Sequence, residues 1–267
     1  MTNEKELQHQ MMMVTSVAYE MRDPTAVILV AKDAIEKIAI DHLPQEKQKK
    51  LAIPMRCIEQ SVDKLERISM NLLDISRHSF GDLKACCEPI CVSELCTEIC
   101  EEAQKFGQGR RIVCSVPRQD IVLLMDSYFF ERILLNLLSN AMTACPEGKI
   151  SVDLKKNQQE MILIVSDSGP GLSQERLQSP FAPIYRTENS DTKLGLYICS
   201  LLAKQLDGEL TAENMPKGGA RFVLRVPIKE SNSNQVLKAR NVDYEKQARK
   251  RRIRAEFALF EGDAAQS

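Results

Sequence analysis

The chain has 267 residues, of which 27% are charged, and its formal net charge at pH 7 is -1. This length allows one large domain or two small ones, and we predict two. The near-zero net charge excludes a global attraction to nucleic acid or to an anionic membrane, so any such contact requires a local patch. The absence of tryptophan and the aromatic content of 5% suit helix-rich packing by Leu, Ile and Met.

The cysteine pattern and the lengths of the apolar segments indicate in which cellular compartment the protein works. Nine cysteines are present, and no charged segment followed by an apolar stretch opens the chain. This pattern favours free thiols in a reducing cytosol over disulfides. The cysteines at residues 86–100 lack a paired CxxC arrangement, which argues against a zinc site. No apolar stretch reaches the roughly 18 residues that cross a bilayer. We therefore predict a soluble, cytoplasmic protein without membrane insertion.

Two long helices are predicted for the first part of the chain. In the first, apolar residues follow the three-and-four spacing of a coiled-coil seam, interrupted by Thr25 and Lys32: Leu7, Met11, Val14, Ala18, Met21, Ile28 and Ile35. In the second, they run from Leu51 to Leu72, after a polar segment at residues 41–47. A single hairpin cannot bury these stripes fully, so a second copy is expected to complete a four-helix bundle. We predict a homodimer.

The next part of the chain mixes helices and strands, which favours an α+β fold with an α/β sandwich. Helices are expected at residues 92–106, 127–145 and 191–208, and strands at residues 111–116, 121–125, 149–156, 161–168 and 220–227. Asp126 or Ser127 is a candidate cap for the second helix. The prediction is a helical hairpin at residues 1–80, a sandwich at 81–229, and a polar linker with a basic tail at 230–267.

The tail contains six basic residues between Lys246 and Arg254. Such a run fits a solvated charged helix better than a nucleic-acid site, although an acidic partner is also compatible with it. Phe257, Leu259 and Phe260 follow, and we expect these apolar residues to dock on this protein or on another one.

Two short stretches have the composition of a nucleotide site. Asn136 and Asn140 lie four residues apart on one helical face, and an amide oxygen suits the Mg²⁺ that carries nucleotide phosphates. Asp167 ends an apolar strand and precedes a turn with Gly169 and Gly171. A carboxylate there can accept a hydrogen bond from the amino group of adenine, while the glycines let the backbone approach the ligand. The order of these stretches is more specific than either one alone.

This succession continues with an aromatic loop at residues 181–186 and a helix that opens at Leu194. The whole series resembles the catalytic domain of bacterial histidine protein kinases, a Bergerat-fold ATPase. The preceding hairpin resembles the dimerisation and phosphotransfer domain of the same family, so the resemblance covers about residues 5–228. It implies ATP and Mg²⁺ as cofactors, and it implies the receiver domain of a response regulator or a partner histidine kinase as the partner.

The resemblance also implies the roles of individual residues. The implied ATP site consists of Asn136, Asn140, Asp167, Gly169, Gly171, Tyr185, Lys193, Leu194 and Gly195. In this set Asn140 holds the Mg²⁺ of the bound nucleotide, and Asp167 recognises adenine by a hydrogen bond. Tyr185 and Phe181 shape the loop that forms a lid over the nucleotide. The amides at the start of the helix that opens at Leu194 are offered to phosphate.

The chain departs from the family at its phosphoacceptor. Tyr19 stands where the family has histidine, whereas Glu20 and Pro24 of the same motif are kept. An imidazole forms a high-energy phosphoramidate that an aspartate can accept, but a tyrosyl phosphate is a stable ester. We therefore do not expect Tyr19 to pass a phosphoryl group on to an aspartate of a response regulator.

The phosphate loop departs as well. Asp191 and Lys193 replace two glycines of the family pattern, and Ala220 replaces a threonine. Lys193 attracts phosphate but Asp191 opposes it, so the sequence leaves ATP binding open, including weak or absent binding.

Three functions follow from these features, in order of preference. The first is a histidine-kinase-like protein of two-component signalling that lacks histidine autophosphorylation and acts as a dimeric adaptor or regulator through protein contacts. The second is an active kinase of the same family that binds ATP and phosphorylates a partner. The third is nucleic-acid binding through the basic tail.

Overall fold

The protein is described by a computed structural model at residues 14–18, 20–183, 194–228, 242–257 and 260. It divides into two compact units. The hairpin unit comprises Met1–Leu83 with Arg254–Gly262, and the sandwich unit comprises Lys84–Ile253 with Asp263–Ser267. Within the described part of the chain, no helix combines the length and the apolar character needed to cross a membrane.

The hairpin unit is built on two antiparallel helices, α1 (Arg22–His42) and α2 (Gln45–Ser79). Helical backbone also precedes α1 at residues 14–18 and 20. Between the two helices the chain turns at Leu43, whose extended backbone ends α1 while its N–H still bonds the Ala39 carbonyl at 2.9 Å. Pro44 then opens α2, at a position where a missing N–H costs no helical hydrogen bond.

The face of α1 that meets α2 has a seven-residue spacing. Its buried members are Thr25, Lys32 and Ala39, and the buried Ala18 continues the same spacing in the helical backbone before α1. Thr25 and Lys32, expected to interrupt the apolar seam, are therefore the inward residues, whereas Ile28 and Ile35 are 42% and 44% exposed. The predicted stripe thus differs from the stripe that packs within the hairpin. Burial of a lysine is possible here because carboxylates surround its ammonium group.

Three carboxylates neutralise Lys32. Its Nζ lies 3.1 Å from Glu36 Oε2, 3.2 Å from Asp33 Oδ1 and 3.2 Å from Glu59 Oε1. Burial disfavours the charged ammonium, but the hydrogen bonds to these carboxylates outweigh burial and raise the pKa of Lys32 to about 12. Because Glu59 belongs to α2, the charge of Lys32 also ties the two helices together.

The sandwich unit contains two sheets. Its strands are β1 (Glu88–Cys91), β2 (Arg110–Ser115), β3 (Val122–Met125), β4 (Gly148–Lys156), β5 (Glu160–Asp167), β6 (Glu209–Asn214) and β7 (Ala220–Pro227). The main sheet has the order β2-β4-β5-β7-β6, and β1 pairs with β3 in a separate antiparallel ribbon. In the main sheet β2 and β4 are parallel, whereas the other neighbours are antiparallel.

Helices cover one face of the main sheet. They are α3 (Val92–Gln104), α4 (Ser127–Ala144) and α6 (Gly195–Gln205), with the short α5 (Gln174–Gln178) after the Asp167 turn. The central helix α4 contacts α3, α6, β4 and β5, and it is buried over most of its length. Of the two candidate caps, Asp126 is the one used, since its Oδ1 accepts the Phe129 N–H at 3.0 Å. The predicted α+β class, a helical hairpin followed by an α/β sandwich, is confirmed.

The basic C-terminal helix α7 (Val242–Phe257) is not a uniformly solvated helix. In the sandwich unit, the buried Glu131 of α4 accepts from Arg252 Nε at 2.5 Å and from Arg252 Nη2 at 2.9 Å. Arg249 Nε lies 3.3 Å from the same carboxylate. Burial disfavours the charge of Arg252, but the bond to Glu131 outweighs this and raises the pKa of Arg252. The expectation of a solvated charged face is therefore wrong for Arg249 and Arg252.

The last turn of α7 belongs to the hairpin unit. There Arg254 forms an ion pair with Glu59, and Glu256 Oε1 lies 3.7 Å from Arg67 Nη1. Phe257 is fully buried, and its ring centroid lies 6.3 Å from that of Phe260. Phe257 thus docks on its own chain, while Leu259 lies outside the described residues.

Candidate nucleotide site

The helix α4 presents two asparagines one turn apart. Asn136 Nδ2 donates to the Arg132 carbonyl, and Asn140 Nδ2 donates to the Asn136 carbonyl, each at 2.8 Å. Since the amide nitrogens are engaged in these bonds, the amide oxygens are the atoms suited to a cation. Asn136 is 3% exposed, whereas Asn140 is half-buried. Asn140 is therefore the more accessible of the two.

The start of α6 packs directly on Asn136. A Cβ added to Gly195 would lie 2.5 Å from Asn136 Oδ1, so a larger residue does not fit there. The amide oxygen of Asn136 thus lies against the start of α6, and its role toward a nucleotide stays a prediction. Leu194 precedes α6 without a side-chain cap, and the amides of the first helical turn are the groups that would meet phosphate.

The carboxylate of Asp167 is held at the end of β5. Its Oδ1 accepts the Gly169 N–H at 2.9 Å and the Ala220 N–H at 3.3 Å. Asp167 is opposite Ile150 in the β4–β5 register, and Ile150 is buried, so both lie on the helix-covered face of the sheet. Among the described residues, both hydrogen bonds of the carboxylate use Oδ1, which leaves Oδ2 for a ligand. An acceptor oxygen fits the amino group of adenine.

Gly219, just before β7, lets the backbone there approach Asp167 closely. Gly219 has φ +89°, and an added Cβ would lie only 1.9 Å from the Asp167 carbonyl oxygen. A side chain here would push the two strands apart. Gly219 and Ala220 were not among the predicted site residues. The available signal was the Gly-Gly pair immediately before the last predicted strand.

The turn after Asp167 lies beside the end of α4. A Cβ on Gly169 would lie 2.5 Å from the Ala144 carbonyl oxygen, and Ala144 is one helical turn beyond Asn140. The structure therefore brings the Asn-bearing helix and the Asp-Gly turn to one place, as the sequence order indicated. This arrangement fits a nucleotide whose adenine meets Asp167 and whose metal meets Asn140.

A second missed residue holds the same turn from the other side. Asn214, at the end of β6, accepts the Leu172 N–H at 2.7 Å and donates to the Leu172 carbonyl at 2.8 Å. Gly171, with φ +81°, packs against the same amide. The sequence contains no signal for this role, because an asparagine after a polar segment is typical of any turn.

The remaining predicted residues are not brought to this place by the described part of the chain. Tyr185 and Lys193 lie in residues 184–193, and Tyr19 also lies outside the described residues. Glu20 belongs to the hairpin unit, where it is exposed and accepts a hydrogen bond from Ser16 Oγ at 3.4 Å. The roles of these four residues stay predictions.

An open cleft on the sheet is a separate feature. Apart from Asp167 and Ser168 at the strand end, it is lined by polar and apolar side chains: Lys149, Ser151, Asp153, Lys155, Ile164, Ser166, Met215 and Arg221. The β4 members of this set alternate with the buried Ile150, Val152 and Leu154, so the cleft lies on the face away from α4. It is not the candidate nucleotide site.

Comparisons with known proteins identify an ATPase domain in this part of the chain. Residues 125–230 match the family model of histidine kinase-, DNA gyrase B-, and HSP90-like ATPases. The sensor protein KdpD of Clostridium acetobutylicum is 28% identical over 222 residues, which cover 80% of this chain and 24% of KdpD. The adaptive-response sensory kinase SasA of Synechocystis is 23% identical over 235 residues, which cover 84% of this chain and 61% of SasA. The chain thus spans less than two thirds of either relative.

Solved structures show the same fold. Full-length ShkA in complex with AMPPNP superposes with a TM-score of 0.62 at 20% identity, over 82% of this chain and 46% of ShkA. The histidine kinase AdeS of Acinetobacter baumannii superposes with a TM-score of 0.54 at 18% identity, over 76% of this chain and 96% of the AdeS chain. Residues 125–230 thus form a histidine kinase-, DNA gyrase B-, and HSP90-like ATPase domain, and the chain is similar to two-component sensor kinases over most of its length.

Proposed function

We propose that this protein is a catalytically degenerate sensor kinase that works as a dimeric adaptor in two-component signalling. The observation that carries the proposal is Tyr19 at the phosphoacceptor position, followed by Glu20 and Pro24, which match the family motif. A phosphorylated phenol is a stable ester and does not pass its phosphoryl group on as a phosphoramidate does. The protein then influences phosphoryl transfer between other signalling proteins by contacting them.

The outer surface of the hairpin supports a dimer. Among the described residues, every exposed large apolar side chain except Val116 and Val122 belongs to the hairpin unit. On α1 these are Val27, Ile28, Val30, Ile35, Ile38 and Ile40. Exposed apolar surface of this extent favours association, and a second hairpin is the occupant that completes a four-helix bundle. The seven-residue interval between Ile28 and Ile35 suits a bundle seam.

The partner that we propose is the receiver domain of a response regulator, or the hairpin of a partner histidine kinase. Glu20 is exposed next to Tyr19 and belongs to the surface on which such a partner would dock. All nine cysteines are free thiols, which fits our proposal of a cytoplasmic protein.

A second candidate function is an active kinase that phosphorylates a partner. It is favoured by one observation: Asp167 is fixed by two backbone N–H groups in a way that leaves Oδ2 for adenine. Asn140 would hold the Mg²⁺ of bound ATP, and the amides at the start of α6 would meet its phosphates. Bound ATP would supply the phosphoryl group.

The adaptor proposal is tested by restoring the missing acceptor. Wild type and Tyr19→His are incubated with Mg²⁺ and radiolabelled ATP, and acid-labile label on the protein is measured. We expect no such label on the wild type. Label on Tyr19→His that disappears in Tyr19→His with Asp167→Asn would show that only the acceptor is missing. Ready self-phosphorylation of the wild type would overturn the proposal.

The active-kinase candidate is tested by calorimetric titration with Mg-ATP. If the site binds nucleotide, Asp167→Asn is expected to abolish binding because the amide offers a donor where adenine needs an acceptor. Asp153→Asn, on the other face of the sheet, is the matched control and is expected to leave binding unchanged. No binding to the wild type at millimolar Mg-ATP would remove this candidate.

A further inference from the structure

Three cysteines converge in the sandwich unit, away from the Asp167 turn. Cys96 and Cys100 lie one turn apart in α3, and Cys114 lies in β2, on which α3 packs. Their three Sγ atoms all lie within 4.8 Å of one another. Cys96 and Cys100 are buried and Cys114 is half-buried, so the cluster has one partly accessible side.

The spacing of the sulfurs differs from that of a disulfide. Cys96 Sγ and Cys114 Sγ lie 3.9 Å apart, whereas a disulfide bond is about 2.05 Å long. Three sulfurs that each lie about 2.3 Å from one metal ion in their plane are about 4.0 Å from one another. The separation of the Cys96 and Cys114 sulfurs therefore matches that of two ligands of one metal ion.

We propose that Cys96, Cys100 and Cys114 bind one thiophilic metal ion per chain, namely Cu(I). Thiolate sulfur is a soft ligand that selects Cu(I) and Zn(II) over hard cations. Zn(II) in a closed structural site takes four ligands, and the described residues supply no fourth Cys, His, Asp or Glu to this cluster. Three sulfurs alone satisfy Cu(I).

Binding changes no oxidation state. Three S–Cu bonds form, the thiols release their protons to solvent, and the ion stays Cu(I) throughout. Because the ligands come from α3 and β2, the bound ion links that helix to the edge strand of the main sheet. Metal that binds only the folded chain adds its binding free energy to folding, so it is expected to stabilise the sandwich unit.

The sequence pattern did not indicate this site. Cys114 is 14 residues from Cys100 and 18 from Cys96, and no pair among them forms a CxxC motif. The cluster arises from the packing of α3 on β2. The exposed Cys57, Cys86 and Cys87 are not part of it and serve as controls.

The experiment uses the full chain without oxygen. Reduced protein is titrated with Cu(I) against a competing Cu(I) chelator, and the copper environment is measured by X-ray absorption. We expect one Cu(I) per chain with a shell of three sulfurs at about 2.3 Å. Loss of an outer partner of a metal ligand costs about 10- to 100-fold in affinity, so Cys114→Ser is expected to weaken binding by at least about 100-fold. Cys57→Ser is expected to bind as the wild type does.

Several outcomes would overturn the proposal. The first is a wild type that does not take Cu(I) from the chelator. The second is a copper ion whose shell does not contain three sulfur atoms. The third is Cu(I) binding that is lost in Cys57→Ser but kept in Cys114→Ser. Binding of Zn(II) but not of Cu(I) would overturn the assignment of the ion. Circular dichroism checks that each variant is folded, and the wild-type absorption spectrum decides the question even if a cysteine variant does not fold.

Discussion

The two units bury their apolar side chains to very different extents. In the sandwich unit, Ile133, Leu137 and Val152 have no exposed surface, and α4 lies at the centre of a closed core. In the hairpin unit, Ile28 and Ile35 are 42% and 44% exposed, although a lysine of the same helix is buried. The sandwich unit has a closed apolar core, whereas the hairpin unit has an exposed apolar face that we propose a second hairpin covers.

The units also use buried charge differently. Lys32 is surrounded by three carboxylates of the hairpin, one of them on α2. In the sandwich unit the buried Glu131 faces Arg249 and Arg252 of α7, and Glu98 is a second partner of Arg249. Among the described ion pairs, removing Glu131 leaves Arg252 without a carboxylate partner, whereas Lys32 keeps two when one of its three carboxylates is removed.

The largest effect is expected from charge on the outer face of the hairpin. In Ile28→Glu with Ile35→Glu, carboxylates would replace apolar seam residues in both copies, and burial of these charges is strongly unfavourable. We expect the dimer to be lost at micromolar concentration, as measured by sedimentation equilibrium. Val122→Glu, at a 53% exposed position of β3, is the control and is expected to stay dimeric. A double variant that remains dimeric would contradict the role given to this face.

The next effect concerns the core of the sandwich unit. Glu131→Gln is expected to lower the free energy of unfolding by about 3–5 kcal/mol, because Arg252 loses the buried carboxylate that faces it, while Arg249 keeps its pair with Glu98. Glu213→Gln breaks an exposed pair with Arg221, whose side chains are 58% and 41% exposed, and is expected to cost under about 1 kcal/mol. Urea unfolding of both variants measures the difference. Equal costs would show that Glu131 is not a buried charge.

A smaller effect is expected at the start of α4. Asp126→Ala removes the cap on Phe129 and the acceptor for the Cys86 N–H at 2.7 Å. Loss of a helix cap costs about 1–2 kcal/mol. Ser173→Ala, at the cap of the five-residue α5, is expected to cost less because that helix buries no side chain. Thermal unfolding compares the two variants, and a larger loss for Ser173→Ala would contradict this ranking.

The smallest effect is a pH dependence in the hairpin unit. The pKa of Lys32 is raised from 10.5 to about 12, so folding stabilises its charged form. That stability is present below pH 10.5 and is lost as the pH rises through 12. When the pH is raised from 10.5 to 12, the free energy of unfolding of the wild type should therefore fall by more than that of Lys32→Met. Lys50→Met, at an exposed pair with Glu46, is the control, and its loss should equal that of the wild type.

Regular elements with strong apolar patterns were predictable from the sequence. The last strand has the predicted bounds of 220–227, and α4 begins at the predicted residue 127. By contrast, β6 and β1 were not predicted, because β6 alternates weakly and β1 contains Pro89. Their strand conformation is set by pairing with β7 and β3, which a local pattern does not reveal.

The candidate site divides in the same way. The positions of Asn140 on a helical face and of Asp167 at a strand end were predictable from the helical and strand periods, whereas their roles toward a ligand stay predictions. Gly219, Asn214 and Cys114 were not predictable, since each one acts through a contact with a residue distant in sequence. Residue spacing indicates local faces, whereas these contacts depend on how the sheet is assembled.

We propose that Tyr19 does not pass a phosphoryl group on to a receiver domain. The most direct test of this proposal incubates the purified wild type with Mg²⁺ and radiolabelled ATP and then adds receiver domains. We expect no acid-labile phosphoryl group on the protein and no transfer to a receiver aspartate. An acid-labile phosphoryl group that passes from this protein to a receiver aspartate would contradict it.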